Sequence, residues 1–272
     1  MKIERLFDVR GLATVVTGGA SGIGLALAEA MAENGARVTI MDINAAAIEA
    51  EVSRLRTMGG DMRGELVDIT DRPATKRAFD TAAAHYGRLD VVFANAGIDS
   101  GPGFLNMQWE RASEGAVENL SDEIWDKVIA TNLTSVFTTI RAAVPHMKPH
   151  RSGRIIVTTS VAALRGEPIV GTPYMPAKAG AAHLVHQVAQ ELAKYNIQVN
   201  AIAPGAFITN IGGGHMKKPE VLSMFSRHCP TGRAATTDEI QGVALFLASP
   251  ASRYVTGVQI AVDGGMLLGP AD

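Results

Sequence analysis

The sequence lacks cysteine pairs and long apolar runs, features that mark several large classes of protein. Its 272 residues include one cysteine, Cys229, so no disulfide can form within the chain. This excludes a disulfide-built secreted scaffold and favours a reducing compartment. No apolar run approaches the roughly 20 residues that span a bilayer, and the opening Met-Lys-Ile-Glu-Arg lacks an apolar signal core. We therefore expect a cytoplasmic protein that does not enter a membrane.

Neither sign of charge is in excess. Lys and Arg number 25 and Asp and Glu number 27, which gives a formal net charge of −2. A nucleic-acid-binding protein normally carries a basic stripe, so we expect no nucleic-acid partner. Pro-rich linkers, low-complexity segments and short repeats are also missing from the sequence. We predict a single domain over residues 1–272.

Short β-branched runs alternate with longer helical stretches along the whole chain. Several runs are apolar on consecutive residues, as in Val91-Val92-Phe93, which favours parallel strands covered on both faces. The predicted strands are Ala13–Thr17, Arg37–Met41, Gly64–Asp68, Asp90–Ala94, Arg154–Thr159, Gln198–Ala203 and Val258–Val262. The predicted helices lie near Gly22–Asn34, Ala45–Met58, Asp71–Tyr86, Asp122–His146, Tyr174–Tyr195 and Thr237–Leu247. This alternation predicts an α/β fold with a doubly wound parallel sheet of the Rossmann type, in three α/β/α layers.

Two long segments, near residues 98–120 and 210–232, interrupt this alternation. Both follow the carboxyl ends of predicted strands, where open α/β sheets bind ligands. They are either surface insertions or walls of a substrate pocket, and long loops in compact domains favour the second interpretation. Phe104, Met107 and Trp109 in the first segment would cover a substrate or pack on a neighbouring subunit.

Glycine is abundant, with 28 residues, and several stand in the turn Thr17–Gly24 after the first predicted strand. Glycines there permit a tight turn, a close approach of the backbone to a pyrophosphate, and phosphate binding at the start of the next helix. The spacing is Gly-x3-Gly-x-Gly, which differs from Gly-x-Gly-x2-Gly, and no P-loop lysine follows. Alone, the turn is also compatible with a plain connection between strand and helix.

Asp42 narrows the choice of ligand. It ends the second predicted strand, 18 residues after Gly24, near the spacing of about 20 expected for a carboxylate on an adenosine ribose. A carboxylate there accepts from the ribose hydroxyls and repels a 2′-phosphate, and neither Lys nor Arg lies within the glycine turn. We therefore predict NAD rather than NADP. The competing interpretation makes Asp42 a cap for the helix near Ala45.

Tyr174 and Lys178 are four residues apart at the start of a predicted helix, so they share one face. A free phenol has a pKa of about 10. A nearby ammonium stabilises the phenolate and lowers this pKa, which suits proton exchange with an alcohol oxygen. The same pair is also compatible with a half-buried tyrosine beside a solvated lysine.

Together, these motifs resemble the short-chain dehydrogenase/reductase family over nearly the whole chain. The matching positions are the turn Thr17–Gly24, the strand end Asn95-Ala96-Gly97, Asn132, Ser160, Tyr174 with Lys178, Pro204-Gly205 with Thr209 beyond it, and Val262-Asp263-Gly264-Gly265. Their number and order make the resemblance specific. One departure is the link between Gly97 and Asn132, which is longer by about a dozen residues than in the simplest members.

The resemblance implies a catalytic set of four residues. Ser160 would hydrogen-bond the substrate oxygen, and Tyr174 would give or take its proton. Lys178 would hold the nicotinamide ribose and lower the pKa of Tyr174, while Asn132 would fix a water in a proton relay. The cofactor-binding positions it implies are Gly18, Ser21, Gly22, Ile23, Gly24, Asp42, Ile43, Asp68, Ile69, Asn95, Ala96, Gly97, Tyr174, Lys178, Pro204, Gly205, Phe207 and Thr209.

The function this implies is NAD-linked interconversion of a secondary alcohol and a ketone, a small-molecule reaction in which the nicotinamide carries the hydride. The alternatives are a 3-oxoacyl-carrier-protein reductase, which usually prefers NADPH, and a non-catalytic dinucleotide-binding protein. His183 and His186 lie three apart on one helix, but no acidic third ligand accompanies them, so we expect no metal. The resemblance also implies a homotetramer, or failing that a dimer, assembled through the helices Asp122–His146 and Tyr174–Tyr195.

Overall fold

A computed structural model of the protein describes residues 2–269, apart from the side chains at positions 211, 212, 215 and 228. Met1 and residues 270–272 of the predicted domain therefore lie outside the described residues. So do the side chains of His215 and His228, two histidines within the predicted substrate segment 210–232.

Seven strands within residues 2–269 form one sheet in the order β3-β2-β1-β4-β5-β6-β7. They are β1 Ala13–Thr17, β2 Arg37–Asp42, β3 Asp61–Leu66, β4 Val91–Ala94, β5 Gly153–Thr158, β6 Ile197–Pro204 and β7 Gln259–Val262. Every neighbouring pair is parallel. The strand order reverses between β1 and β4, and ligands of open α/β sheets bind at such a switch point, outside the carboxyl ends of the strands.

Helices cover both faces of this sheet. They are α1 Ile3–Leu6, α2 Gly22–Glu33, α3 Ala45–Thr57, α4 Arg72–Tyr86, α5 Asp122–Ile129, α6 Ser135–Met147, α7 Tyr174–Leu192, α8 Ile211–Gly214, α9 Pro219–His228 and α10 Gln241–Ala248. One apolar core joins α2, α3 and α10 to the sheet, and a second joins α4, α6 and α7 to the other face. The predicted doubly wound, three-layer α/β/α fold is confirmed.

Local sequence signals explain where several helices begin and end. The carboxylate of Asp71 accepts from the N–H of Ala74 and caps α4, whose first turn contains a proline. The same helix ends at Gly87, which has a φ of +75°. Of the helices in the described part of the chain, none combines the length and apolarity needed to cross a membrane.

The third strand lies at Asp61–Leu66, so the predicted bounds Gly64–Asp68 are wrong. This strand is at the edge of the sheet, with one neighbour. Its polar residues face solvent, and it therefore lacks the continuous apolar run by which the inner strands are identified. Asp68, predicted to end the strand, lies beyond it.

The predicted long helix Asp122–His146 is divided. Residues Ala130–Thr134 form a π-helical turn between α5 and α6. Such turns insert a residue into a helix and occur frequently at functional sites. Asn132 lies in the middle of this turn, so the interruption sets the direction of its side chain.

Candidate active site

The glycine turn after β1 folds tightly over the end of β4. Gly18 has a φ of +64°, and a Cβ added there would lie 2.9 Å from the Cα of Ala96. A Cβ at Gly24 would collide with the carbonyl oxygen of Gly18. Side chains are thus excluded at both positions, and the backbone of Ser21 and Gly22 forms the start of α2.

Thr17 and Asn95 fasten this turn to the neighbouring strand. The Thr17 hydroxyl accepts from the N–H groups of Asn95 and Ala96, at 3.0 and 3.1 Å. The Asn95 amide donates back to the carbonyl of Thr17 at 3.1 Å and to that of Gly18 at 3.4 Å. Because β1 and β4 flank the switch point, these bonds fix the two loops that border it.

Asp42, at the carboxyl end of β2, faces the glycine turn. One carboxylate oxygen accepts from the N–H of Ala20 at 3.2 Å, and the other accepts from the N–H of Asn44 at 3.1 Å. The cap of α3 is Asn44, whose side chain accepts from the N–H of Ala47 at 3.1 Å. Helix capping therefore does not account for Asp42. Its neighbour Ile43 is 71% exposed.

The remaining predicted cofactor residues lie around the same edge of the sheet. Asp68 is exposed and bonded to Thr70, whereas Ile69 is buried. Thr209 lies against the glycine turn, because a Cβ at Gly22 would be 3.6 Å from its side chain. Pro204 ends β6, Ile23 is half-buried on α2, and Phe207 is buried in the core, so its side chain serves packing.

A second group of residues lies at the carboxyl end of β5 and the start of α7. Ser160 follows β5, and its hydroxyl accepts from the N–H of Ala162 at 3.1 Å. Tyr174 begins α7, and the ammonium of Lys178 lies 5.6 Å from the centroid of its ring. Lys178 is 3% exposed and donates to the carbonyl of Thr158 at 2.9 Å. The structure thus brings Ser160, Tyr174 and Lys178 together.

Burial controls the protonation of this group. Burial raises the pKa of Tyr174 to about 12, while the hydrogen bond with Ser160 lowers it and the charge of Asp99 raises it. The pKa of Tyr174 is thus raised, whereas the resemblance implies that Lys178 lowers it. Burial also lowers the pKa of Lys178, to about 8. Both shifts arise because a buried group loses the water that stabilises its charged form.

Asn132 reaches the same region from the π-helical turn. Its side chain is fully buried, accepts from the N–H of Ile98 at 2.8 Å and donates to the carbonyl of Ile98 at 2.9 Å. A Cβ at Gly97 would lie 3.0 Å from the Asn132 oxygen and 3.4 Å from the Lys178 nitrogen. Asn132 and Lys178 therefore both lie directly against Gly97, and a side chain at this position would crowd them.

The 98–120 segment forms structure of its own beside this group. An antiparallel bridge joins Leu105 to Arg111, and a second joins Pro102 to Val170, just before Tyr174. The second bridge is extended by bonds from Gly103 N–H to the Ile169 carbonyl and from Leu105 N–H to the Pro168 carbonyl, at 3.2 and 3.0 Å. Phe104 and Trp109 are partly exposed, and the Arg111 guanidinium lies over the Phe104 ring.

Other residues with chemical potential lie outside the group. Cys229 is buried, and burial raises the pKa of its thiol, which suits packing rather than nucleophilic chemistry. The rings of His183 and His186 meet edge to face, with centroids 5.9 Å apart. Among the described residues, no three His, Cys, Asp or Glu side chains cluster as metal ligands would.

Sequence reasoning did not assign roles to Asp99 and Ser100. Asp99 acts on the Tyr174 pKa, and the buried Ser100 donates to the carbonyl of Gly171 at 3.0 Å. The one available signal was that both directly follow the strand end Asn95-Ala96-Gly97 and Ile98.

A glycine turn at the switch point of a doubly wound sheet defines a dinucleotide-binding fold, and the polar group beside it suits an oxidoreductase. A family model described as enoyl-(acyl carrier protein) reductase matches residues 18–267. The 3-oxoacyl-(acyl-carrier-protein) reductase FabG of Thermotoga maritima is 34% identical over 96% of this chain and 99% of its own. The 5-keto-D-gluconate 5-reductase of Escherichia coli is 32% identical over 97% of this chain and 98% of its own.

Solved structures agree with these relatives. A 7α-hydroxysteroid dehydrogenase, complexed with NADH and 7-oxo glycochenodeoxycholic acid, has a TM-score of 0.87 and 30% identity over 100% of this chain and 99% of its own. A gluconate 5-dehydrogenase from Burkholderia cenocepacia, in complex with NADP and tartrate, has the same TM-score and identity over 98% and 99%. The chain belongs to the short-chain dehydrogenase/reductase family and is an oxidoreductase.

Proposed function

We propose that this protein is an NAD-dependent dehydrogenase that interconverts a secondary alcohol and a ketone by hydride transfer. The observation that carries the proposal is the meeting of Ser160, Tyr174 and Lys178 at the carboxyl edge of the sheet, with Asn132 bonded to the adjoining loop. A half-buried phenol and hydroxyl beside a buried ammonium suit proton exchange with an alcohol oxygen.

The residues at the switch point fit a dinucleotide. The glycine turn excludes side chains that would block a pyrophosphate, and the start of α2 offers free N–H groups and a favourable dipole. Asp42 would accept from ribose hydroxyls. The hydrogen bond from the N–H of Ala20 holds its carboxylate toward the glycine turn. NAD, when bound, would exchange a hydride with the carbon that bears the substrate oxygen.

The four catalytic residues divide the work on the substrate oxygen. The Ser160 hydroxyl would hydrogen-bond that oxygen and orient it, and the Tyr174 phenol would donate or accept its proton. Lys178 would hold the nicotinamide ribose, and its ammonium, whose pKa burial lowers to about 8, would serve as the next proton carrier. Asn132 would hold the end of a water relay beside Ile98.

The raised pKa of Tyr174 determines which protonation state of the phenol predominates at neutral pH. A phenol with a pKa of about 12 keeps its proton, so it is ready to protonate a ketone oxygen. Alcohol oxidation needs the phenolate, and we therefore propose that its rate rises with pH through the neutral range.

The proposal is tested by following NADH absorbance with a panel of secondary alcohols and ketones. We expect turnover by the wild-type protein and a loss of at least about a hundredfold in kcat for Tyr174→Phe, because the proton-transfer group is removed. Tyr254→Phe, at a fully exposed tyrosine, is the matched control and keeps wild-type kcat. Full turnover by Tyr174→Phe would contradict the assignment.

The second candidate is reduction of a carrier-linked 3-oxoacyl chain with NADPH. It is favoured by the 34% identity to the Thermotoga maritima 3-oxoacyl-(acyl-carrier-protein) reductase. Asp42 opposes it, because a carboxylate repels the 2′-phosphate of NADPH. A faster reaction of a 3-oxoacyl thioester with NADPH than of any simple ketone with NADH would decide for this candidate.

We propose a homotetramer, with a dimer as the smaller alternative. The surface of α5 and α6 exposes Ile124, Trp125 and Phe137, apolar side chains that a subunit contact would cover. Light scattering would then give a mass near four times the chain mass of 28.6 kDa. The reducing compartment that the single cysteine favours makes the cytoplasm the proposed location.

A further inference from the structure

The carbonyl oxygen of Gly171 accepts two hydrogen bonds. One comes from the backbone N–H of Tyr174, at 3.1 Å, and the other from the hydroxyl of Ser100, at 3.0 Å. The first N–H groups of a helix have no acceptor within the helix. Gly171 therefore supplies the acceptor that fixes the start of α7, and Ser100 holds that acceptor from the other side.

Ser100 has little freedom to bond elsewhere. The residue is 4% exposed, so water does not replace the Gly171 carbonyl as its acceptor. Its main chain is fixed as well, because the carbonyl of the next residue, Gly101, accepts from the N–H of Gly171 at 3.1 Å. A Cβ at Gly171 would lie 2.8 Å from the Ser100 hydroxyl oxygen, so a side chain at position 171 would disturb this contact.

The segment that carries Ser100 also carries the contact of Asn132. Asn132 binds both backbone groups of Ile98, two residues before Ser100. A stretch of four residues, Ile98–Gly101, thus holds Asn132 at one end and the turn before Tyr174 at the other.

We propose that Ser100 is a positioning residue. By holding the Gly171 carbonyl, it fixes the position of the Tyr174 phenol relative to Asn132. Its hydroxyl donates to a backbone oxygen and does not itself exchange protons with the substrate. This inference rests on the role proposed above for Tyr174. A catalytic group displaced by a fraction of an ångström loses rate without losing substrate binding to the same degree.

The test compares Ser100→Ala with Ser252→Ala. Ser252 is fully buried and donates to the carbonyls of Leu247 and Ser249, at 3.0 and 3.2 Å. It precedes β7 and so lies toward the amino edge of the sheet, away from the site. We expect Ser100→Ala to lower kcat about tenfold or more with the KM for NAD unchanged, and Ser252→Ala to leave both parameters unchanged.

Amide hydrogen exchange gives a readout that needs no substrate. We expect exchange of the peptide that contains Tyr174 to rise in Ser100→Ala and to stay at the wild-type level in Ser252→Ala. Equal kcat in the two variants, or unchanged exchange at Tyr174 in Ser100→Ala, would overturn the positioning role. If Tyr174→Phe keeps full turnover, both the proposed function and the positioning role of Ser100 are contradicted. If Tyr174→Phe is inactive while Ser100→Ala matches Ser252→Ala, only the positioning role falls.

Discussion

The carboxylate of Asp42 is held by two backbone N–H groups, those of Ala20 and Asn44. A charge fixed in this way cannot swing aside to admit a 2′-phosphate at the ribose. We predict that Asp42→Ala lowers the ratio of kcat/KM for NAD over NADP about tenfold, an effect of roughly 1.4 kcal/mol. Initial rates with both cofactors and one substrate measure this ratio.

Asp61→Ala is the control for Asp42→Ala. Asp61 is exposed at the amino end of β3, so its removal changes the net charge equally but leaves the cofactor edge intact. A ratio that does not move in Asp42→Ala, or that moves equally in Asp61→Ala, would show that Asp42 does not select the cofactor.

The contacts of residues whose partners are close in sequence can be predicted from the sequence. The contacts of residues whose partners are distant in sequence cannot. Tyr174 and Lys178 are one helical turn apart, so their spacing alone predicts that they share a face. The acceptor of the Ser100 hydroxyl is 71 residues away. A lone serine gives no periodic signal, and its partner depends on how the 98–120 segment packs on the chain before Tyr174.

At the scale of elements, the inner strands were predicted well because they are apolar on both faces. The bounds predicted for β1 agree with those observed, and those predicted for β2 end one residue early. The edge strand β3 has one polar, solvent-facing side, so its composition resembles that of a loop. The π-helical turn at Asn132 was also missed, because one extra residue hardly disturbs the apolar periodicity of a long helix.

The contact between the 98–120 segment and the chain before α7 depends on small residues. A Cβ at Gly103 would collide with the carbonyl oxygen of Pro168, a backbone atom that cannot turn away. We predict that Gly103→Ala lowers the free energy of unfolding by about 1–3 kcal/mol, the usual cost of overpacking. Urea unfolding followed by circular dichroism measures the change.

Gly166→Ala is the matched control for Gly103→Ala. Gly166 lies in the facing segment, its φ is not positive, and a Cβ there meets no atom within 4 Å. Alanine at such a position restricts the unfolded chain and raises stability by about 0.4–1 kcal/mol. Equal effects of the two substitutions would contradict the close contact at Gly103.

At the scale of the whole molecule, the buried Lys178 makes global stability depend on pH. Below about pH 8 its ammonium is charged in both the folded and unfolded states, so folding bears the full cost of burying a charge. Between about pH 8 and 10.5 the folded protein has lost this proton while the unfolded chain keeps it. The free energy of unfolding therefore rises across this window, by roughly 3 kcal/mol.

Tyr174 has the opposite effect at higher pH. Between pH 10.0 and about 12 the unfolded chain loses the phenol proton and the folded protein keeps it, so stability falls. We predict that Lys178→Met removes the rise between pH 8 and 10.5, in urea unfolding at a series of pH values. Lys127→Met, at an exposed lysine, keeps it. A rise that persists in Lys178→Met would assign it to other groups.

The hairpin Leu105–Arg111 is anchored at its base by bonds between main-chain atoms. Bonds of this kind form whatever side chains the tip carries. Within the tip, the Asn106 side chain accepts from the N–H groups of Gln108 and Glu110, at 2.9 and 3.0 Å, so Asn106 is needed for the shape of the turn. The exposed side chain of Gln108 can therefore diversify by mutation without loosening the base of the hairpin.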